Sequence, residues 1–472
     1  MNFYPNKYVL MRIPFVLFGV TLPSSRDLIR PPVHKVLTKL TLPMILGIIA
    51  VLSVSLIDTY FVSQLGTEHL AALSFSFPVT MSISSLAIGL GVGAASAVSR
   101  AVGANNKEQA KRLSTDSLLL GIAVVMVVAV VGYLYVEPLL SLLGASNEVL
   151  ALGARYMRIW FISVPFLVVP MIANALIRSV GDAFWPSLVM IGSALINIIS
   201  TPILIFGWGV IPAFNIEGAA LGTLFAQVLT LFASLAILII RERLLSFHLP
   251  SQGDLIASWR TLLSIAVPAA AGNMVNPLCI AIVTAIIAWF GEKSVAAFGL
   301  ATRIEFFAVI PMLALSSAIG PLAGQNWGAN QVQRVIEGLK ISYWVCIVWA
   351  AVLSVLLWFA APSIITAFSS DSEVTNEALL YLRIIPISVW GYGIVIVAAA
   401  AFNSIGKAKV GLGYYIVRSA IFYVPLSWLG AIYTQIDYVF IGIALANVLS
   451  GLAIGFYSIW WLKRLHRLNL LA

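Results

Sequence analysis

The sequence predicts an all-α integral membrane protein, with twelve transmembrane helices in two six-helix bundles that are related by a parallel internal repeat. Three observations predict this fold class: an apolar composition, a series of long apolar runs, and landmarks that recur at one fixed offset. Of the 472 residues, 61% are hydrophobic and 10% are charged, and the mean hydropathy is +1.02. Soluble domains carry about 25% charged residues, so lipid is the expected solvent of this chain.

Apolar runs of about 20 residues or more mark the predicted helices, because that is the length needed to cross the hydrocarbon core. They give twelve spans, at about 41–64, 70–98, 114–136, 150–177, 185–207, 217–240, 261–290, 296–322, 340–366, 376–402, 411–431 and 438–461. The predicted segments are a cytoplasmic arm 1–35, a six-helix bundle 36–240, a cytoplasmic linker 241–260, a second bundle 261–462 and a tail 463–472.

Basic residues lie mainly on one side of these spans. With the N-terminus inside, 21 of the 27 Lys and Arg fall on cytoplasmic segments. This bias follows the positive-inside rule and predicts that both termini are cytoplasmic. We expect an integral protein of the plasma membrane, the inner membrane of a bacterium. The net charge of +9 is spread along these loops. It forms no basic face, so no nucleic-acid partner is expected.

A shift of 225 positions superimposes the two halves of the chain. It pairs Pro43 with Pro268, Gly66 with Gly291, Gly103-Ala104-Asn105 with Gly328-Ala329-Asn330, and Tyr156 with Tyr381. Each copy holds an even number of spans, so both copies enter the membrane from the same face and the repeat is parallel. A cavity between two such halves can open to one side and then to the other by rocking. The repeat therefore favours alternating-access transport.

Two acidic side chains are predicted to lie within the spans, Asp58 and Glu305. A carboxylate at membrane depth is costly unless it is paired, protonated or bound to a cation. Asp58 has no basic neighbour on its own helix, which favours a site that binds and releases H⁺ or Na⁺ over a solvated acid at a helix end. Glu305 lies two residues from Arg303, so the two side chains face different directions. For these charges an ion pair between helices is favoured over a coupling role.

Polar side chains of the first half are candidates to surround Asp58. Asn174 lies late in span 4, and Asn197 and Thr201 share one face of span 5, four residues apart. Thr223 lies in span 6. Amide and hydroxyl oxygens with one carboxylate suit Na⁺, and they equally suit a hydrogen-bond network around a protonated Asp. Ordinary hydrogen bonding between helices is the alternative for each residue.

Thr223 is also a candidate to line a substrate cavity, and so are three aromatic residues, Tyr60, Phe75 and Phe77. Their rings can hold an organic cation by cation–π contact, although packing against lipid or core is an equal alternative. No His, Cys or Ser-centred catalytic cluster and no GxxxxGK[ST] loop occurs, so neither an enzyme nor an ATP-driven pump is expected. We expect no cofactor and no metal beyond a transient Na⁺ at Asp58.

The stretch LPMILGIIAVLSVSLIDTYFVSQLGTEHLAALSFSFP resembles the first two helices of MATE (multidrug and toxic compound extrusion) transporters. Helices seven and eight of that family resemble IAVPAAAGNMVNP, FGEKSVAAFGLATRIEFFAVIP and GQNWGA. The resemblance runs from about residue 36 to 462. It implies export of small cationic or amphipathic compounds in exchange for H⁺ or Na⁺. We expect the chain to function as a monomer in the bilayer.

In the DinF-like branch of that family, the coupling site centres on an Asp in helix one, which matches Asp58. The matching neighbours are Tyr156, Asn174, Asn197 and Thr201. That branch often has a second Asp where this chain has Thr201, and one proton neutralises a single carboxylate completely. H⁺ is therefore favoured over Na⁺ as the coupling ion.

The acids that the NorM-like branch uses in helices seven and ten do not occur around 273–276 and 390–391, so no coupling group is expected in the second half. A lipid-linked saccharide flippase of the same superfamily is the alternative function. Twelve spans and few basic residues within them argue against it, while Arg303 and Arg418 keep it open.

Overall fold

The computed structural model describes residues 27–145, 147–246, 252–368, 371–433 and 435–469. Most of the predicted arm 1–35 and the end of the predicted tail lie outside these residues. Within them, residues 27–32 are irregular and the first helix begins at Val33, inside the segment predicted as the arm. The helix begins there because Pro31 and Pro32 disfavour helical backbone in the residues before them.

The described part of the chain contains eleven helices that are long and apolar enough to cross a membrane, and one further pair bent into a single span, which gives the twelve predicted spans. Spans 1–6 are Val33–Ser63, Thr67–Gly103, Lys107–Leu134, Glu148–Ser179, Phe184–Phe206 and Asn215–Arg241. Spans 7–12 are Gly253–Phe290, Glu292–Ala308 with Ile310–Gly328, Val332–Phe368, Ser372–Ser404, Ala408–Ile432 and Ile436–Leu468. A short helix that was not predicted, Val136–Leu142, joins spans 3 and 4.

Both described ends of the chain lie on the same face of the bundle, because the number of spans is even. We call this face, where span 1 begins at Val33 and span 12 ends at Leu468, the terminal face. The opposite face is the one where span 1 ends at Ser63.

The internal repeat is visible in the backbone. Asn105 and its repeat equivalent Asn330 both have left-handed backbone, with φ of 57° and 59°. Gly66 and Gly291 both have φ of 119°. The two Asn residues end spans 2 and 8, where a left-handed residue closes the helix. Equal conformations at one offset confirm that the halves are copies of one fold.

Several spans of the second half depart from regular helix, and spans 8 and 11 do so most clearly. Span 8 bends by 44° between Ala308 and Ile310. Pro311 lies at the start of its second segment and lacks the N–H that would continue the helix. Span 11 contains a π-helical segment, Val417–Tyr423. Such segments frequently occur at functional sites, and this one includes Arg418.

The two halves meet closely at the terminal face, through the ends of spans 2 and 8. Gly103 lies against the backbone of Gln325, and Gly328 lies against the backbone of Arg100. These contacts are repeat equivalents, since 100 and 103 shifted by 225 give 325 and 328. Only a glycine fits either position, because a Cβ atom there would overlap the facing carbonyl group.

Side-chain hydrogen bonds reinforce this contact. The Ser96 hydroxyl donates to the carbonyl oxygens of Asn403 and Ser404, at 2.7 and 3.0 Å. Gln325 Nε2 donates to the Ser179 carbonyl at 2.8 Å. Ser179 and Ser404 are again repeat equivalents. We call the set formed by Ser96, Arg100, Gly103, Gln325 and Gly328 with their partners the terminal-face closure.

Residues 27–32 are held on the second half by Arg334. Its Nη2 atom donates to the carbonyl oxygens of Pro31, at 2.6 Å, and Leu28, at 3.3 Å. Asn326 Nδ2 also donates to the Leu28 carbonyl, at 3.2 Å. The start of span 1 packs into the core of the second half as well, through buried residues such as Val36 and Leu40.

Candidate functional site

Asp58 lies in span 1, five residues before the span ends at Ser63 on the opposite face. The residue is half-buried, and its Oδ1 atom is buried with no hydrogen-bond partner in the described part of the chain. An unmatched carboxylate oxygen at membrane depth is stable only if a proton or a cation supplies the missing charge or hydrogen bond. The geometry therefore fits reversible binding of one small cation.

A chain of polar side chains lies beside Asp58. Thr201 Oγ1 reaches the Asp58 carboxyl. It also lies 3.4 Å from Asn197 Oδ1, and Asn197 Nδ2 donates to Thr223 Oγ1 at 3.3 Å. Thr223 in turn donates to the Ala219 carbonyl at 3.1 Å. Asn197 and Thr201 are one turn apart on span 5 and therefore share a helix face. From that face Thr201 reaches Asp58 of span 1 and Asn197 reaches Thr223 of span 6, so the network joins the three spans.

Tyr156 is buried in span 4, 8% exposed, and interacts electrostatically with Asp58. The structure thus brings together Asp58, Tyr156, Asn197 and Thr201 as the sequence predicted. Thr223, which was a candidate both for this group and for the substrate cavity, joins the group through Asn197. Gly222 makes room for the group, because a Cβ there would lie 2.7 Å from Thr201 Oγ1.

Asn174 does not join this group. It follows Tyr156 by 18 residues on span 4, which is about 27 Å along a helix axis. Its Oδ1 atom accepts a hydrogen bond from the Ser234 hydroxyl at 3.4 Å, near the terminal face. The resemblance to MATE transporters implied that Asn174 belongs to the coupling site around Asp58. The geometry does not support that role, because Asn174 links spans 4 and 6 instead.

The three predicted cavity aromatics do not join the network around Asp58. Tyr60 is 60% exposed and Phe77 is 54% exposed. Phe75 is half-buried and packs beside Gly144. In the described part of the chain, no hydrogen bond or ring contact joins these residues to the Asp58 network. Their exposure is what lipid-facing aromatics show.

Asp116 corrects the prediction that only two acids lie within the spans. Its side chain is 1% exposed in span 3, inside the predicted run 114–136. Unlike Asp58, it has basic neighbours: Arg112 Nε lies 3.7 Å away, and Arg112 Nη2 also lies 3.3 Å from Asp254. Asp116 is therefore a paired structural acid near the terminal face.

Arg418 lies at the centre of a second polar site, in the second half. It is 5% exposed. Its Nη1 and Nη2 atoms donate to the side-chain oxygens of Asn276 and Asn447, at 3.1 and 3.0 Å. Its guanidinium lies 4.3 Å from the ring centre of Tyr392 and 4.7 Å from that of Tyr423. A cavity of about 70 Å³ adjoins it.

Glu305 lines the same cavity. It accepts a hydrogen bond from the Tyr381 hydroxyl at 2.5 Å. The sequence predicted an ion pair between helices for Arg303 and Glu305. The structure gives Glu305 a tyrosine of another span instead, while Arg303 is exposed and forms no ion pair within the described residues. Tyr381 is the repeat equivalent of Tyr156, so each half places a tyrosine of the same position near its intramembrane acid.

A larger cavity of about 200 Å³ lies between the two halves, next to the terminal-face closure. Arg178 of span 4 and its repeat equivalent Asn403 of span 10 both line it, together with Asn273 and Tyr415. Sequence reasoning passed over Arg178 because it lies at the very end of its apolar run. The 225-position shift, which pairs Arg178 with Asn403, was the signal that could have found it.

Comparison with known proteins shows which family this chain is similar to. The MatE sequence profile matches residues 43–203 and 268–429, one stretch in each half. The FAD transporter of Shewanella oneidensis is 38% identical over 430 residues, covering 91% of this chain and 95% of that protein. The probable multidrug resistance protein YoeA of Bacillus subtilis is 26% identical over 414 residues, covering 85% of this chain and 88% of that protein.

Solved structures agree with the sequence matches. The Vibrio cholerae MATE transporter VcmN in its bent form is similar with a TM-score of 0.87 and 30% identity, covering 92% of this chain and 98% of that one. The resemblance of the first two helices to MATE transporters is thereby confirmed across both halves. This chain belongs to the MATE family of membrane transporters and is not an enzyme.

Proposed function

We propose that this transporter is a secondary antiporter that exports small amphipathic molecules in exchange for H⁺, with Asp58 as the proton-binding residue. The observation that carries the proposal is the buried Oδ1 atom of Asp58, which has no hydrogen-bond partner in the described residues. Asn197, Thr201 and Tyr156 offer it only neutral groups. One proton completes such a site, whereas Na⁺ needs several oxygens and benefits from a second carboxylate. This favours H⁺ and a place in the DinF-like branch.

The terminal-face closure supports an alternating-access cycle. Its symmetric contacts join the halves at the terminal face, next to the cavity between them. We propose that the terminal face is cytoplasmic, as the distribution of Lys and Arg indicates, and that a rocking motion breaks these contacts in the inward-open state. The chain acts as a monomer in the plasma membrane, since each half of the cavity comes from the same chain.

We propose a flavin dinucleotide as the first substrate to test. The support is the Shewanella oneidensis relative, at 38% identity, together with the two arginines at cavities, Arg178 and Arg418. Cationic side chains in the translocation region favour an anionic amphipathic molecule over the cationic compounds that the sequence suggested. No relative described above supports the alternative, a lipid-linked saccharide flippase.

The experiment compares two acids that lie within the spans, Asp58 and Asp116. Asp58→Asn and Asp116→Asn variants are reconstituted in proteoliposomes, and uphill export of FAD or a fluorescent dye is measured under an imposed H⁺ gradient. Asp58→Asn is expected to abolish uphill export while inserting normally, because its neutral form is compatible with lipid. Asp116→Asn controls for loss of a buried charge and is expected to retain export. Uphill export by Asp58→Asn would refute the assignment.

A further inference from the structure

Arg418 is a buried cation whose surroundings compensate its charge only in part. A guanidinium stays protonated in proteins, and burying it is costly unless acceptors surround it. Asn276 and Asn447 supply two neutral oxygens, and Nε is buried with no hydrogen-bond partner in the described residues. The two tyrosine rings add attraction to the face of the guanidinium but accept no hydrogen bond from its edge.

The one carboxylate that shares this cavity is turned toward another partner. Glu305 accepts the hydrogen bond of Tyr381, and within the described chain it forms no ion pair with Arg418. Glu305 therefore balances the cavity's charge at a distance and leaves the Nε–H of the guanidinium without a partner in the described residues. A guanidinium edge of this kind matches the oxygens of a phosphate, which it can bind through two parallel hydrogen bonds.

The cavity beside Arg418 is too small for a whole organic substrate, at about 70 Å³, but it adjoins the larger one. Asn273 lines the larger cavity and Asn276 the smaller, one turn apart on span 7. Tyr415 and Arg418 repeat this arrangement on span 11. Residues three apart share a helix face, so the two cavities are neighbours along two spans. A molecule in the larger cavity can extend one group into the smaller.

We propose that Arg418 is the anion-binding residue of the substrate site and that it holds a phosphate group of the transported molecule, while the rest of that molecule occupies the cavity between the halves. The inference rests on the proposed function, since it assigns a position to part of the proposed substrate. The negative charge of Glu305 repels the phosphate, so removing the Glu305 charge strengthens phosphate binding.

The test uses the full-length protein in detergent and measures binding of FAD, FMN and riboflavin by titration calorimetry. FMN is riboflavin with one added phosphate, so the ratio of FMN to riboflavin affinity isolates the phosphate contribution, whereas FAD also carries an adenosine group. Wild type is expected to prefer FMN to riboflavin by about tenfold or more, as charge-assisted hydrogen bonds are worth that much. Arg418→Gln is expected to lose this preference and keep its riboflavin affinity, which also shows that the variant is folded.

Two further variants make the result specific. Arg303→Gln removes an exposed arginine of span 8 and is expected to leave the ratio unchanged, while Glu305→Gln is expected to raise it. If Arg418→Gln is not recovered folded, Arg418→Lys, which keeps the charge and loses the planar fork, is expected to lower the ratio. An unchanged ratio in the Arg418 variant overturns the inference and leaves the proposed function standing. A wild type that binds none of the three flavins overturns both the inference and the proposed flavin substrate, while the role of Asp58 is tested separately by the export assay.

Discussion

The terminal-face closure predicts the effect of adding a single methyl group to Gly328. A Cβ atom at Gly328 would overlap the Arg100 carbonyl group, so Gly328→Ala pushes spans 2 and 8 apart where the halves meet. The repeat-equivalent change, Gly103→Ala, pushes against Gln325 in the same way. Either variant is expected to favour the state that is open at the terminal face.

The expected size follows from the cost of overpacking, which is about 1–3 kcal/mol for an added methyl group in a packed contact. A free-energy change of that size alters the ratio of two conformations by about 5–150-fold. The two glycines lie in one contact, so their effects are not expected to add. Gly299→Ala on span 8 is the matched control, because a Cβ there meets no atom within 4 Å and the change in helix propensity is the same.

The assay is a distance measurement between spin labels at Glu108 and Gln333, which are exposed repeat equivalents beside the closure. The labels are attached to introduced cysteines after the buried Cys279 and Cys346 are replaced. Gly328→Ala is expected to increase the population at longer distance, and Gly299→Ala to match wild type. A distribution unchanged by Gly328→Ala and Gly103→Ala would refute the claim that these glycines hold the halves together.

Three further predictions concern single sites. Thr201→Asp is expected to change the ion dependence or the pH profile of transport, because it adds a carboxylate beside the first; an unchanged profile in a vesicle assay would remove Thr201 from the site. Gly222→Ala is expected to reduce uphill export at normal expression, since its Cβ would lie 2.9 Å from the Thr201 Cα atom, and full export would contradict this packing. Hydrogen bonding from Lys293, and from the backbone N–H groups that it caps, holds the pKa of Asp371 below its ordinary 3.8. The ionised Asp371 therefore stabilises the fold above pH 3.8 and loses this effect as the pH falls further, so Asp371→Asn should lower the Tm at pH about 7 and have little effect near pH about 3. An equal decrease in Tm at both pH values would contradict the expected pH dependence of the Asp371 contribution.

The spans and the repeat could be predicted from sequence because both depend on local patterns. A long apolar run has few alternatives to a transmembrane helix, and a recurring Gly or Asn marks the same turn in each copy. The bend in span 8 was harder to predict, because prolines occur in several spans and only tertiary packing decides which one breaks the helix. The short helix Val136–Leu142 lies in a connection that hydropathy does not resolve.

The Asp58 site was predictable where residues share a helix face, as Asn197 and Thr201 do. Asn174 was misplaced because resemblance gives a position in the chain but no depth in the membrane. Asp116 was overlooked as a buried acid even though it lies inside an apolar run. The site around Arg418 could not be predicted, because its partners come from spans 7, 10, 11 and 12 and no spacing in the sequence connects them.

The central claim, that one proton at Asp58 drives export, is tested most directly by separating the two ion gradients. Wild-type proteoliposomes are held at zero membrane potential, and export of FAD or of a dye is followed under either gradient alone. With one proton exchanged per cycle, a pH gradient of about one unit without Na⁺ is expected to support about a tenfold uphill ratio. Asp58→Asn is expected to support none. Uphill export driven by a Na⁺ gradient, with a protonophore present, would contradict the account.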